Sequence, residues 1–187
     1  YEIDHLIHSF AVMQKSLKEY IKNLEITNAE KNRILAEVQV ASEIQRKLIP
    51  ANTEHPYKVK EIRCYGILEP VGEIGGDLYD FFPVDDSHFF FVIADVAGKG
   101  IVASMTMIMV STYLRTISTY NFTVNEIMKN LNNFLCTQSS AAIFVTALIG
   151  IIDLKNDELE FSNAGHTPLF LRKLNGTYEI FADTHSN

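Results

Sequence analysis

Two aspartates carry the chemistry that this sequence offers most plainly. Asp77 closes a glycine-glycine-aspartate turn, Gly75-Gly76-Asp77. Asp95 ends the apolar run of residues 89–94 and is followed by Val96-Ala97-Gly98-Lys99-Gly100, a glycine turn that opens a helical segment. Carboxylates at the end of an apolar strand, beside glycines that let backbone carbonyls approach, suit a hard divalent cation such as magnesium or manganese. An ionised carboxylate in such a place needs a partner, and a metal ion is a strong one. The competing use of Asp95 is as a capping side chain for the following helix. A cap needs no second carboxylate, whereas a metal site needs several.

The elements around the two aspartates decide whether they can meet. Residues 79–84 and 88–94 read as short strands joined by the polar turn Asp85-Asp86-Ser87. Two strands joined by a tight turn form a hairpin, so the ends remote from the turn lie side by side. Those ends carry Asp77 and Asp95. Like charges that close repel unless a cation lies between them. Lys99 could draw in phosphate, or simply be solvated beside its turn. His166, in the Asn163-Ala164-Gly165-His166 segment, could serve as an acid or a phosphate contact, or could hold its own turn together, and it is left outside the catalytic set.

Upstream, residues 3–49 contain neither proline nor glycine. A heptad places Ile3, Phe10, Leu17, Leu24, Lys31, Val38 and Gln45 at a, and Leu6, Met13, Tyr20, Thr27, Ile34, Ala41 and Leu48 at d, with Thr27, Lys31 and Gln45 the polar exceptions. A seven-residue repeat held this long predicts a coiled coil and a parallel homodimer; the alternative is a helix packed partly on its own domain. At about 1.5 Å per residue such a helix runs roughly 70 Å. Pro50 ends it. The polar seam positions either favour a two-state helix or set its register.

Further strands are expected over residues 59–68, 143–152, 158–162, 169–174 and 178–181, with Asn175-Gly176 a strong hairpin turn. Helices are expected over 101–119, with Met105, Ile108, Met109, Thr112, Leu114 and Ile117 on its inner face, and over 123–136, with Val124, Ile127, Met128, Leu131 and Leu135 inward. The net charge of −7 disfavours nucleic acid as a partner, since phosphate backbones call for a basic footprint. A hydrophobic content of 47% is enough for a core. Two cysteines without a CxxC pattern indicate neither a zinc site nor a disulfide framework, and point to a reducing compartment. No apolar run approaches the roughly 20 residues needed to cross a bilayer.

The motifs GGDLYD, FVIADVAGKG, IFVTALIG and SNAGHTPLFL, in this order, resemble the SpoIIE/RsbU branch of the type 2C (PPM) metal-dependent protein phosphatases. The resemblance spans roughly residues 40–181. It implies an α+β fold, an antiparallel β-sandwich flanked by helices, preceded by the long coiled-coil helix. It implies two Mn2+ or Mg2+ ions that activate a water for attack on phosphoserine or phosphothreonine. Asp77 and Asp95 match metal-site aspartates of that family, and Val96 would offer its backbone carbonyl. The usual substrate in that branch is a phosphorylated anti-sigma-factor antagonist of the STAS type.

The opening residues also resemble the last helix of a HAMP module, and AEVQVASEIQRKLIP resembles the linker into RsbU-type phosphatase domains. The expected organisation is therefore a signalling and dimerisation helix, 1–49, and a phosphatase domain, 50–187, in a cytoplasmic location that a membrane-anchored sensor upstream could share. The family's site draws further aspartates from two later motifs that the sequence does not match, and the chain starts at Tyr1 without an initiator methionine. The expectation is an excised piece, missing the C-terminal part of its domain, that binds metal weakly and turns over poorly by itself. The alternative function is a non-catalytic dimeric signalling or scaffold module.

Overall fold

The computed structural model describes residues 2–50, 62–69, 74–120, 122–138 and 144–181. The chain forms two compact units, Tyr1–Ala41 and Ser42–Asn187. One helix, α1 (Glu2–Leu48), makes up the first and enters the second. It is uninterrupted, as the lack of glycine and proline requires, and Pro50 follows its end. In the first unit its heptad side chains face solvent: Ile3, Leu6, Phe10, Met13, Leu17, Tyr20 and Leu24 are all exposed. Thr27 turns its hydroxyl back onto the Asn23 carbonyl oxygen at 2.9 Å, so this polar seam residue is satisfied within the helix. Among the described residues, no helix is long and apolar enough to cross a membrane.

The second unit is built on a four-stranded antiparallel meander in the order β1 (Leu78–Pro83), β2 (His88–Val96), β3 (Val145–Asp153), β4 (Glu158–Ala164). A separate hairpin, β5 (Leu169–Arg172) and β6 (Tyr178–Phe181), turns at Gly176, whose φ of 84° suits glycine. Alternation along β1 and β2 sorts their side chains to two faces. Leu78, Phe82, Phe90, Val92, Ala94 and Val96 join helices α2 (Ile101–Ile117) and α3 (Val124–Gln138) in the larger core. Tyr79, Phe81 and Phe89 form a smaller core on the other face with Ile62, Cys64 and Leu68.

The architecture is the expected α+β one of antiparallel sheets with helices and a long N-terminal helix, and two details differ. The expected strand 59–68 is not a ladder where it is described: residues 62–69 carry a single bridge, at Cys64, and residues 59–61 lie outside the described set. The alternation of Ile62, Cys64 and Leu68 reflects packing on the Tyr79 face rather than strand pairing. The inner face of α2 is also shifted. Ala103, Ser104, Met107, Val110, Ser111, Leu114 and Ile117 are buried, whereas Met105 and Met109 are exposed. Helix α2 is apolar nearly all round, so its spacing selects no face, and small residues at 103, 104 and 111 suit close approach to the sheet. Helix α3 opens with a capping box, in which Thr123 N–H donates to the Glu126 carboxylate at 2.9 Å and Glu126 N–H to the Thr123 hydroxyl at 3.3 Å.

Candidate metal centre

The register of the first hairpin places the two aspartates. Strands β1 and β2 pair Phe82 with Phe90 and, four steps on, Leu78 with Ala94. Continuing by one residue sets Asp77 opposite Asp95, and opposite residues share a face. Asp95 is in turn opposite Thr146 on β3. The Thr146 hydroxyl lies 3.0 Å from Nδ1 of His166. Asp77, Asp95, Thr146 and His166 thus form a row across one end of the sheet.

The two carboxylates are close enough to share a hydrogen bond. Burial pushes the Asp77 carboxyl above its ordinary value, the Asp95 charge and that shared hydrogen bond push it further, and His166 pulls it partly back. Both aspartates are nonetheless exposed enough to meet solvent. Paired carboxylates at an open strand end fit a hard cation.

The turn before Asp77 is shaped by close approach. A Cβ on Gly76 would stand 2.8 Å from the Val96 carbonyl oxygen and 3.3 Å from the Ala103 Cβ. The Val96 N–H donates to the Gly76 carbonyl at 3.4 Å. The backbone of Val96 therefore lies against the turn that carries Asp77. Capping does not account for Asp95: helix α2 starts at Ile101 behind Gly100, with no side-chain hydrogen bond at its N-terminus.

The other two candidates are His166 and Lys99. His166 is tied into its loop, its N–H donating to the Asn163 side-chain oxygen at 2.8 Å while the Asn163 amide donates to the His166 carbonyl at 3.2 Å. Lys99 is exposed and makes no ion pair among the described residues. Among the described residues, no group of three or more His, Cys, Asp or Glu side chains converges.

Two residues that the sequence reading passed over support the site. Asp80, three residues past Asp77, faces the larger core and is nearly sealed from solvent. It receives Arg115 Nε at 2.7 Å and Nη2 at 2.8 Å, and the Phe81 N–H at 2.9 Å. Burial pushes the Asp80 carboxyl up, against the opposing pull of Arg115. The signal was the alternation itself: an aspartate in phase with Leu78 and Phe82 points into the core and needs a cation, and Arg115 is the basic residue of α2. The second residue is Gln45, buried near the end of α1. Its Nε2 donates to the Gly75 carbonyl at 2.6 Å, and the Gly75 N–H donates to its Oε1 at 3.3 Å.

A family model described as Stage II sporulation protein E (SpoIIE) matches residues 85–186, more than half of the chain. The chain belongs to the SpoIIE family. The match takes in Asp95 and His166 and begins after Asp77. Among relatives of this SpoIIE-family chain, Protein IcfG of Synechocystis sp. (strain ATCC 27184 / PCC 6803 / Kazusa) is 27% identical over 202 residues, covering 94% of this chain and 31% of that protein. Phosphoserine phosphatase RsbU of Bacillus subtilis (strain 168) is 27% identical over 151 residues, covering 80% of this chain and 44% of that protein. The chain therefore spans less than half the length of either curated relative. The solved SiaA-PP2C domain of Pseudomonas aeruginosa superposes with a TM-score of 0.61 at 18% identity, over 76% of this chain and 57% of that one, which shows a common fold.

Proposed function

We propose that this chain belongs to a metal-dependent protein serine/threonine phosphatase, with Asp77, Asp95 and the Val96 carbonyl as metal ligands. The observation that carries this reading is the facing of Asp77 and Asp95 across the first hairpin. Mn2+ or Mg2+ held there, two ions in the complete site, would neutralise the phosphate's charge and lower the pKa of water for direct attack. Asp95 would be the principal ligand to the metal and Asp77 its companion. Family membership supports the activity, and the similarity to RsbU, a phosphoserine phosphatase, supports the substrate class. The proposed substrate is a phosphorylated anti-sigma-factor antagonist of the STAS type. We assign 1–49 to a signalling and dimerising helix and 50–187 to the phosphatase domain, in a cytoplasmic setting. The exposed heptad side chains of α1 support a parallel homodimer, because a continuous apolar stripe of that length is usually covered.

The deciding experiment measures phosphate release from a phosphoserine form of such an antagonist by the full-length protein with Mn2+. Asp95→Ala should abolish turnover and leave the fold and the dimer intact; unchanged turnover removes Asp95 from the mechanism. One observation favours a second reading, a non-catalytic dimeric signalling module: two carboxylates, and no third ligating side chain among the described residues, meet at the site. Release absent from the full-length wild type under saturating Mn2+ would select that reading.

A further inference from the structure

We infer that Gln45 is a positioning residue for the metal turn: its side-chain amide grips both backbone groups of Gly75 and so fixes where Asp77 stands. The inference rests on the metal reading above. A glutamine amide presents one donor and one acceptor side by side, the same pair that a neighbouring strand would offer a peptide. Gly75 lies before β1 begins at Leu78, where the ladder does not reach it. Gln45 supplies that missing partner, with Nε2 2.6 Å from the Gly75 carbonyl oxygen and Oε1 3.3 Å from its nitrogen. The next residue, Gly76, is held by the Val96 N–H at 3.4 Å and has no room for a Cβ. Beyond Asp77, the Tyr79 hydroxyl lies 2.8 Å from the Pro50 carbonyl oxygen. The end of α1 and the proline after it therefore hold the chain two residues before and two residues after Asp77. Gln45 is only 5% exposed, so water cannot easily take over its hydrogen bonds when it is removed.

A general buried hydrogen bond would affect stability alone, whereas a positioning role also sets metal affinity. The test uses the full-length protein with Gln45→Met, which keeps the length and removes both polar groups, and Gln45→Glu, which keeps the acceptor for the Gly75 N–H and sets an oxygen against its carbonyl. Mn2+ affinity is measured by calorimetry, stability by urea unfolding, and kcat and KM on the phosphorylated substrate over a range of Mn2+. Residues that orient ligands typically change metal affinity by about 10- to 100-fold when mutated. Gln45→Met should weaken Mn2+ binding about tenfold or more, with kcat restored by raised Mn2+ and KM for the phosphoprotein unchanged. Gln45→Glu should fall in the same direction. Wild-type Mn2+ affinity retained within about twofold in a folded Gln45→Met protein, or, if that variant does not fold, in Gln45→Glu, overturns the inference. Asp77→Asn serves as the control: if it leaves Mn2+ binding intact, the metal assignment itself fails, whatever Gln45 does.

Discussion

Replacing Arg115 by leucine strands a buried carboxylate, and its cost can be worked from the structure. The Asp80 side chain is 2% exposed and the Arg115 side chain 47%. Removing one partner of a fully buried pair typically costs about 3–5 kcal/mol. Because water already reaches half of the guanidinium, the cost is discounted below that scale, to about 2–3 kcal/mol. The guanidinium also sits 4.7 Å from the centre of the Phe82 ring, and that contact is lost as well. With a urea slope of about 2 kcal/mol/M, the unfolding midpoint should drop by roughly 1 M or slightly more. The pH dependence gives an independent check. Burial already raises the Asp80 carboxyl above its ordinary value despite Arg115, and without the guanidinium it rises further. A raised carboxyl binds its proton more tightly in the folded state, so it weakens folding as pH climbs from the unfolded value through the folded one. The deficit of Arg115→Leu should therefore be largest near neutral pH and shrink in acid, and adding Asp80→Asn should recover part of it at neutral pH. A loss below about 0.5 kcal/mol, or a deficit that grows in acid, would refute the assignment of Asp80 as a buried, cation-dependent carboxylate.

Gly76→Ala should cost about 1–3 kcal/mol in urea unfolding and weaken Mn2+ binding, because its Cβ would meet the Val96 carbonyl oxygen at 2.8 Å and backbone cannot swing aside. Mn2+ affinity followed by calorimetry should decline steadily as pH falls toward the carboxylate range, since the raised Asp77 carboxyl takes up a proton in competition with the ion; a flat profile would contradict the pairing with Asp95. Leu17→Lys with Leu24→Lys, both on the exposed stripe of α1, should convert a dimer to a monomer in sedimentation without loss of the sheet signal in circular dichroism.

The first hairpin was legible because its pattern and its turn agree. Two apolar runs either side of the polar turn Asp85-Asp86-Ser87 read as a hairpin, and its register puts Asp77 beside Asp95. The hairpin turn at Asn175-Gly176 was legible for similar reasons of local chemistry. The buried face of α2 was not, since a helix with apolar residues on every side gives periodicity nothing to select. Gln45 read as a flaw in a heptad, because the reason for a polar residue there lies 30 positions away, in the backbone of Gly75. Asp80 was hidden by its neighbour. In GGDLYD both aspartates invite the same ligand reading, and only the fold shows that one faces outward and the other meets Arg115.

That opposition has a consequence for how β1 finds its place. Asp77 and Asp80 are an odd number of residues apart, so one strand presents a carboxylate on each side of the sheet. Sliding β1 by a single position would turn Asp80 away from Arg115, set Tyr79 or Phe81 on that face in its stead, and pull Asp77 out of line with Asp95 in the same movement. Misalignment is thus penalised by an orphaned guanidinium even in the absence of metal, and the Asp77–Asp95 pairing adds to that penalty only once an ion joins the two carboxylates. The Arg115 pair checks the strand's threading before any ion arrives.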